Sequence, residues 1–294
     1  MLRMLVTTSP ADGVILVVEG PSDVRALRPL VNPGVHIQAL GGKSLVVGAH
    51  QNLGSAHERR VLFLVDCDNE DNTPVKGLPN LIITSHRDLE CDLLFHLDGA
   101  KRAALDCFSS GLDHESVVKA IKKELVVSTE VACRFNATKD EARLLQLPLG
   151  IRDVTTGKKR RFALEDLPRF EEWAQGTSDL RIPDIAARLG EKLGWTTGQV
   201  ALVANAAVAR WGSACKRHSV SACASCGRMR LCNGHDLEAA LVARFNRQGS
   251  SITRTEMERL VRVGADVSLA NGWPVVDRIR RFEGWAGLRV LRTL

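Results

Sequence analysis

Two short runs set the limits on this chain. Val14-Ile15-Leu16-Val17-Val18 and Val61-Leu62-Phe63-Leu64-Val65 are unbroken apolar stretches rich in β-branched side chains. A strand with one wet face alternates apolar and polar residues. A run without alternation has both faces covered, as inside a parallel sheet. Each run ends on acid: Glu19-Gly20-Pro21-Ser22-Asp23 after the first, Asp66-Cys67-Asp68 after the second. Residues 35 to 40 and 81 to 83 predict two further strands. Ser22 predicts a cap for a helix over residues 23 to 30, and Gly41-Gly42-Lys43-Ser44 opens a second helix. Ser85 and Asp88 stand at capping-box spacing before a third, which carries Leu89, Leu93, Leu94 and Leu97 on one face and Glu90 in its first turn. Strands alternating with helical crossovers predict an α/β fold with a Rossmann-like parallel sheet over residues 1–100. In such sheets function collects at the carboxyl ends of strands.

The remaining residues, 101–294, read as a mainly helical domain. Helices are expected over 101–148, 165–176, 183–194, 197–212, 236–246 and 253–263, the last with a Thr253/Glu256 capping box. A β-hairpin is expected over 149–164, turning at Thr155-Thr156-Gly157-Lys158. No apolar run reaches the roughly 18 residues of a membrane span. The first residues lack the long apolar core of a signal peptide, so the expected location is cytoplasmic.

Charge is uneven. Residues 1–100 hold 8 Lys/Arg against 12 Asp/Glu, whereas the whole chain is +6. The second domain is therefore basic, which suits a polyanion such as nucleic acid. The acids of the first domain fall at strand ends. In extended backbone Asp66 and Asp68 project to one side, and Glu19 closes a strand expected beside theirs. Three gathered carboxylates repel one another unless a cation lies among them. Magnesium, an oxygen-seeking ion held by few carboxylates, fits that need and serves phosphodiester chemistry. Asp23, Glu70, Asp71 and Glu90 are further candidates.

The segments VILVVEGPSD at 14–23 and VLFLVDCD at 61–68 resemble the Glu-Gly and Asp-x-Asp motifs of TOPRIM domains. These are the catalytic modules of topoisomerases, primases and OLD-type nucleases. GGKSLV at 41–46, ITSHRDLECDLL at 83–94 and NGHDLEAAL at 233–241 are similar to the TOPRIM subfamily that contains the effector nuclease of the PARIS anti-phage system. The resemblance implies a Mg²⁺-dependent endonuclease in which Glu19 handles the proton and Asp66 and Asp68 hold metal. It further implies that Lys43 and Asp23 assist binding and that Glu90 completes the metal shell. It implies nucleic acid as substrate, DNA or RNA including tRNA, an ABC-type ATPase as controlling partner, and a homodimer. Tyrosine is absent from the sequence, so this chain alone cannot carry out the tyrosine-ester chemistry of a topoisomerase. An RNA-processing TOPRIM nuclease and a non-enzymatic recombination mediator that clamps DNA are the alternatives. In the mediators a four-cysteine zinc site precedes the TOPRIM domain, whereas here a cluster follows it.

That cluster is Cys215, Cys223, Cys226 and Cys232, four of the eight cysteines. Four thiolates so close predict a structural zinc site, with His218 or His235 able to replace one of them. Lys158-Lys159-Arg160-Arg161, the Arg278/Arg280/Arg281 group and the basic residues of the cysteine loop are candidate phosphate contacts. Phe162, Trp173 and Trp211 read as core.

Overall fold

The computed structural model describes residues 13–68, 78–96, 114–152, 157–167, 170, 180–214, 231–247, 250–263 and 272–292. Four strands form one parallel sheet: β1 (Ile15–Val18), β2 (His36–Ala39), β3 (Val61–Val65) and β4 (Leu81–Ile83), in the order β2-β1-β3-β4. Every residue of β1, β3 and β4 is buried, as unalternating apolar runs require. The α/β parallel architecture expected from the sequence is present. β1 and β3 are neighbours, with Val17 opposite Phe63, so the two acid-bearing strand ends meet at one edge of the sheet.

Helix α1 (Pro21–Leu27) follows β1, α2 (Lys43–Gln51) follows β2 and α3 (Leu89–His96) follows β4. Two caps differ from the sequence expectation. α1 starts at Pro21 with Gly20 as its N-cap, not at Asp23 behind Ser22. Proline suits the first helical turn because its missing N–H would be unsatisfied there anyway. Asp23, three residues into the turn, reaches back to accept the Gly20 N–H at 2.7 Å. At α3 the capping side chain is Asp88, whose Oδ1 accepts the Cys91 N–H at 2.9 Å. Ser85 instead donates its N–H to Asp92.

The chain divides into two units, one of residues 1–103 with 258–294, the other of residues 104–257. A single cut near residue 100 therefore misses the return of the C-terminal segment to the sheet unit. That segment contains α9 (Pro274–Ala286), for which the sequence reading made no assignment. Its Val275, Val276, Ile279 and Phe282 are buried at helical spacing. Trp273 before it donates its indole N–H to Asp92 at 3.0 Å. Arg278 donates to the Ile83 carbonyl at 2.6 Å, and Arg280 lies 3.9 Å from Asp277. Two members of that basic group thus serve the fold. Beyond α9, Val290 accepts the Asn32 N–H and Arg292 donates to Leu30.

The second unit is helical, as expected. Its long helix α4 (His114–Leu144) packs on α6 (Thr197–Ala214) and α7 (Gly234–Arg247), and α5 (Ile182–Leu193) pairs with α6. Phe135, Phe162, Leu164, Ile185, Leu189, Val203 and Ala240 form the core. Buried Glu124 pairs with Arg244, and Lys139 with Asp236 at 3.3 Å. β5 (Gly150–Arg152) and β6 (Lys159–Arg161) make the expected antiparallel hairpin. Of the helix expected over 165–176, a 3₁₀ turn at Leu164–Asp166 and Phe170 fall within the described residues. α8 (Arg254–Val263) spans the division between the units and begins with the Thr253/Glu256 box: Thr253 donates N–H to Glu256 at 2.7 Å, and Glu256 returns N–H to Thr253 Oγ1 at 3.2 Å. No helix among the described residues is long and apolar enough to cross a membrane.

Candidate functional site

Glu19 follows the last residue of β1, and its Oε1 accepts the Asp66 N–H at 2.7 Å. This bond joins the two strand ends directly. The Glu19 carbonyl accepts the Gly41 and Gly42 N–H groups at 2.8 and 3.0 Å. Those two glycines have φ of +95° and +134°, a backbone course that side-chain-bearing residues rarely follow. They bring the start of α2, and with it Lys43, to the same edge. Lys43 Nζ lies 3.4 Å from Asp68 Oδ2 and 3.3 Å from the Cys67 carbonyl.

Asp66 and Asp68 do not project as neighbours in an extended strand. β3 ends at Val65, and Asp68 has φ of +49°. Aspartate is among the few residues that tolerate this left-handed turn. The turn is stitched to the loop after β4: Cys67 donates N–H to Thr84 Oγ1 at 2.8 Å, and Asp68 to the Arg87 carbonyl at 2.8 Å. Asp66 Oδ1 accepts the Leu89 N–H at 3.0 Å, at the amino end of α3. A carboxylate there also meets the positive end of the helix dipole.

The electrostatics record how crowded the acids are. Burial pushes the Glu19 carboxyl up to about 7; the Asp66 N–H opposes this, Asp68 and Asp23 add to it, and Lys43 offsets part. Asp66 is held well above the ordinary aspartate range, first by burial and then by Asp88, Glu19, Asp23 and Glu90. Asp23 is raised by burial, against the Gly20 N–H, with Glu90 adding to the rise. Asp23, Asp88 and Glu90 are all buried. Glu19, Asp23, Asp66, Asp68, Asp88 and Glu90 thus share one edge of the sheet. The carboxylate oxygens of Glu19, Asp66 and Asp68 do not all come within 4.8 Å of one another.

An all-oxygen, anionic, partly buried donor set is chemically suited to a hard divalent cation such as magnesium. Asp66 and Asp68 are the residues that would hold it, with Glu19, Asp23, Asp88 and Glu90 around them. Asp88 is the acid that sequence reasoning placed only as a capping partner. The sequence did carry its signal, since it directly precedes the helix whose first turn holds Glu90.

A second network supports the edge from beneath. Asp92 is fully buried and accepts four hydrogen bonds, from the Ser85 and His86 N–H groups at 2.9 and 2.7 Å, His86 Nδ1 at 2.5 Å and Trp273 Nε1 at 3.0 Å. Burial would raise this carboxyl, but His86 chiefly, with Ser85 and Trp273, holds it below the ordinary range. Glu70, Asp71, Cys215, Cys223, Cys226, His218 and Trp173 lie outside the described residues. Cys232 is buried.

No protein-family model matches this chain, and no curated protein matches it as a relative.

Proposed function

We propose that the chain is a Mg²⁺-dependent TOPRIM-type endonuclease that hydrolyses phosphodiester bonds in nucleic acid. One observation carries the reading: Glu19 and Asp66 come from neighbouring parallel strands, are joined by a hydrogen bond, and are both raised by shared burial among further acids. Perturbed carboxylates at strand ends are where such folds place chemistry. Hydrolysis adds water across a P–O bond, so one proton leaves the attacking water and one reaches the leaving oxygen. A carboxyl near 7 is matched to exchanging protons at neutral pH, which assigns that task to Glu19. Asp66 and Asp68 hold the cation, and the Leu89 N–H fixes the orientation of Asp66. When bound, magnesium would supply positive charge to offset the negative charge developing on the phosphate. Lys43 is already on Asp68, and its role is to keep that carboxylate aimed.

The test is incubation of the purified chain with plasmid and with total RNA, in Mg²⁺ or in EDTA. Cleavage is expected with Mg²⁺ alone and is expected to vanish in Glu19→Gln and in Asp66→Asn. Magnesium-dependent cleavage surviving in both variants would overturn the assignment. The PARIS-like segments support a narrower role as a toxic anti-phage effector restrained by an ABC-type ATPase. Co-expression with that ATPase is expected to give a stable, inactive complex. The four cysteines support one structural zinc, so metal analysis is expected to give about one zinc per chain, lost in a Cys223→Ser/Cys226→Ser variant.

A further inference from the structure

The arginines of α9 divide around the helix axis. Arg280 turns to one flank, 3.9 Å from Asp277. Arg278, Arg281 and Trp285 share the other flank. At 3.6 residues per turn these three fall within an arc of about 60°. Arg278 and Arg281 are exposed, and the indole is half-buried. Arg281 makes no hydrogen bond or ion pair among the described residues. Asp277, four residues before it, goes to Arg280 instead.

Both ends of this flank are fixed by neighbours within the sheet unit. At the start, Arg278 donates to the Ile83 carbonyl at 2.6 Å. Ile83 ends β4 and stands opposite Val65, the residue before Asp66. The Thr84 N–H of the same peptide group goes to Val65. In a trans peptide the Ile83 carbonyl therefore points the other way, off the open edge of the sheet. Arg278 thus stands beside the carboxylate edge. The other donors of its guanidinium are unused among the described residues. At the far end, seven residues and about 10 Å along the helix, the Arg59 guanidinium lies 5.5 Å from the centroid of the Trp285 ring. Arg59 belongs to the 3₁₀ turn Ser55–Arg60 that precedes β3. It is exposed and makes no hydrogen bond or ion pair among the described residues. The indole face holds it in place.

Arg278, Arg281 and Arg59 therefore follow one line along α9, and no carboxylate among the described residues pairs with any of them. A guanidinium presents a planar fork matched to phosphate oxygens. We infer that this flank of α9 is a phosphate track, along which the backbone of a polynucleotide runs to the carboxylate edge. This deepens, and rests on, the reading of the chain as a phosphodiester hydrolase. A polynucleotide is chosen over a small phosphate ester because the cations are strung over about 10 Å of helix and do not converge on one point.

The test is fluorescence anisotropy in EDTA, where binding is read without cleavage. Labelled RNA and DNA are used, single-stranded and duplex, and the tightest ligand is carried through the variants. Arg59→Gln/Arg281→Gln is expected to bind about tenfold more weakly at low salt. Its slope of log affinity on log salt is expected to be shallower by about 1.4 on a single strand, two contacts at about 0.7 each, or by about 1.8 on a duplex. Both side chains are exposed, so its thermal midpoint should stay close to that of the intact chain. Arg59→Lys/Arg281→Lys keeps both charges and should recover most of the slope. Arg181→Gln/Lys192→Gln removes the same charge from the helical unit and should leave the slope unchanged. An unchanged slope in Arg59→Gln/Arg281→Gln overturns the inference, as does an equal loss in Arg181→Gln/Lys192→Gln or no binding of any of these ligands. An intact chain that binds this way yet cleaves nothing in Mg²⁺ overturns the nuclease reading and leaves the track standing. Cleavage by an intact chain whose Arg59→Gln/Arg281→Gln variant keeps its slope does the reverse.

Discussion

Asp92 is a fully buried carboxylate of the sheet unit and Glu19 a half-buried one, and they stand in opposite positions. Asp92 has four donors and is held below its ordinary range, whereas Glu19 has the Asp66 N–H and repelling neighbours and is pushed up. Asp92→Asn therefore removes a satisfied buried anion and leaves the His86 ring and the Trp273 indole with a poorer acceptor. The expected loss is about 3 kcal/mol at pH 7, read by urea unfolding. The sign follows from the depressed pKa: the Asp92 contribution is present above the unfolded value of 3.8 and is lost as pH falls through the lower folded value. The gap between variant and intact protein should thus hold from pH 7 to 4 and close only below about 3.8. A gap that closes between pH 7 and 5 would show that the carboxylate is not the group responsible. Glu19→Gln should act the other way. At pH 8 in EDTA it removes a desolvated, repelled charge, so the thermal midpoint should rise even as cleavage is lost. Glu19, Asp66 and Asp68 were legible in the sequence because they terminate apolar runs. Asp92 was not, because its partner Trp273 lies 181 residues away and no local pattern announces such a bond.

Strands were the most legible elements, since a fully buried β-run needs only its own residues to declare itself. Helix starts were less so. Gly20-Pro21-Ser22-Asp23 offers two capping schemes, and the choice went to the one in which Pro21 sits inside the first turn and Asp23 reaches back. The joint between α5 and α6 shows how tightly the second unit depends on one small residue. Gly194 ends α5 at φ of +72°, and Gly190 faces α6. A Cβ on Gly190 would fall well under 3.0 Å from Val200 Cγ2 and at 3.6 Å from Trp195 Cβ. Alanine at a helix interior is favoured over glycine by about 1 kcal/mol, whereas overpacking costs about 1–3 kcal/mol. Gly190→Ala is therefore expected to destabilise by roughly 1 kcal/mol net of these two effects. In a Val200→Ala background the clash is gone, and the same substitution should stabilise. Equal effects in both backgrounds, measured by denaturant unfolding, would show that Val200 is not the obstacle.

The sheet unit is assembled from both ends of the sequence, and this has a consequence for the carboxylate edge. α9 and its flanks bury Trp273, Val275, Val276, Ile279, Phe282 and Val290 within that unit. Six such side chains at about 2 kcal/mol each amount to about 12 kcal/mol as an upper figure, comparable to the entire stability of an ordinary domain, about 5–15 kcal/mol. The segment also supplies directed bonds. Trp273 holds Asp92, Asp92 holds the Ser85–His86 loop, and that loop leads into the start of α3, where Leu89 donates to Asp66. Trp273 is thus joined to Asp66 through Asp92, the Ser85–His86 loop and the Leu89 N–H. A chain ending at residue 271 is expected to lose its Mg²⁺-induced rise in thermal midpoint, together with slow hydrogen exchange at the Asp66 and Leu89 amides. The helical unit has its own core around Phe135, Phe162 and Leu189, so amides of α4 and α6 should keep their protection. Trp273→Phe separates the two contributions: it retains most of the apolar area and removes only the indole N–H. Its expected signature is a weakened Mg²⁺ response in a sheet unit that still unfolds cooperatively. If the truncated chain keeps full protection at Asp66 and Leu89, the C-terminal segment is a covering layer and the carboxylate edge stands without it.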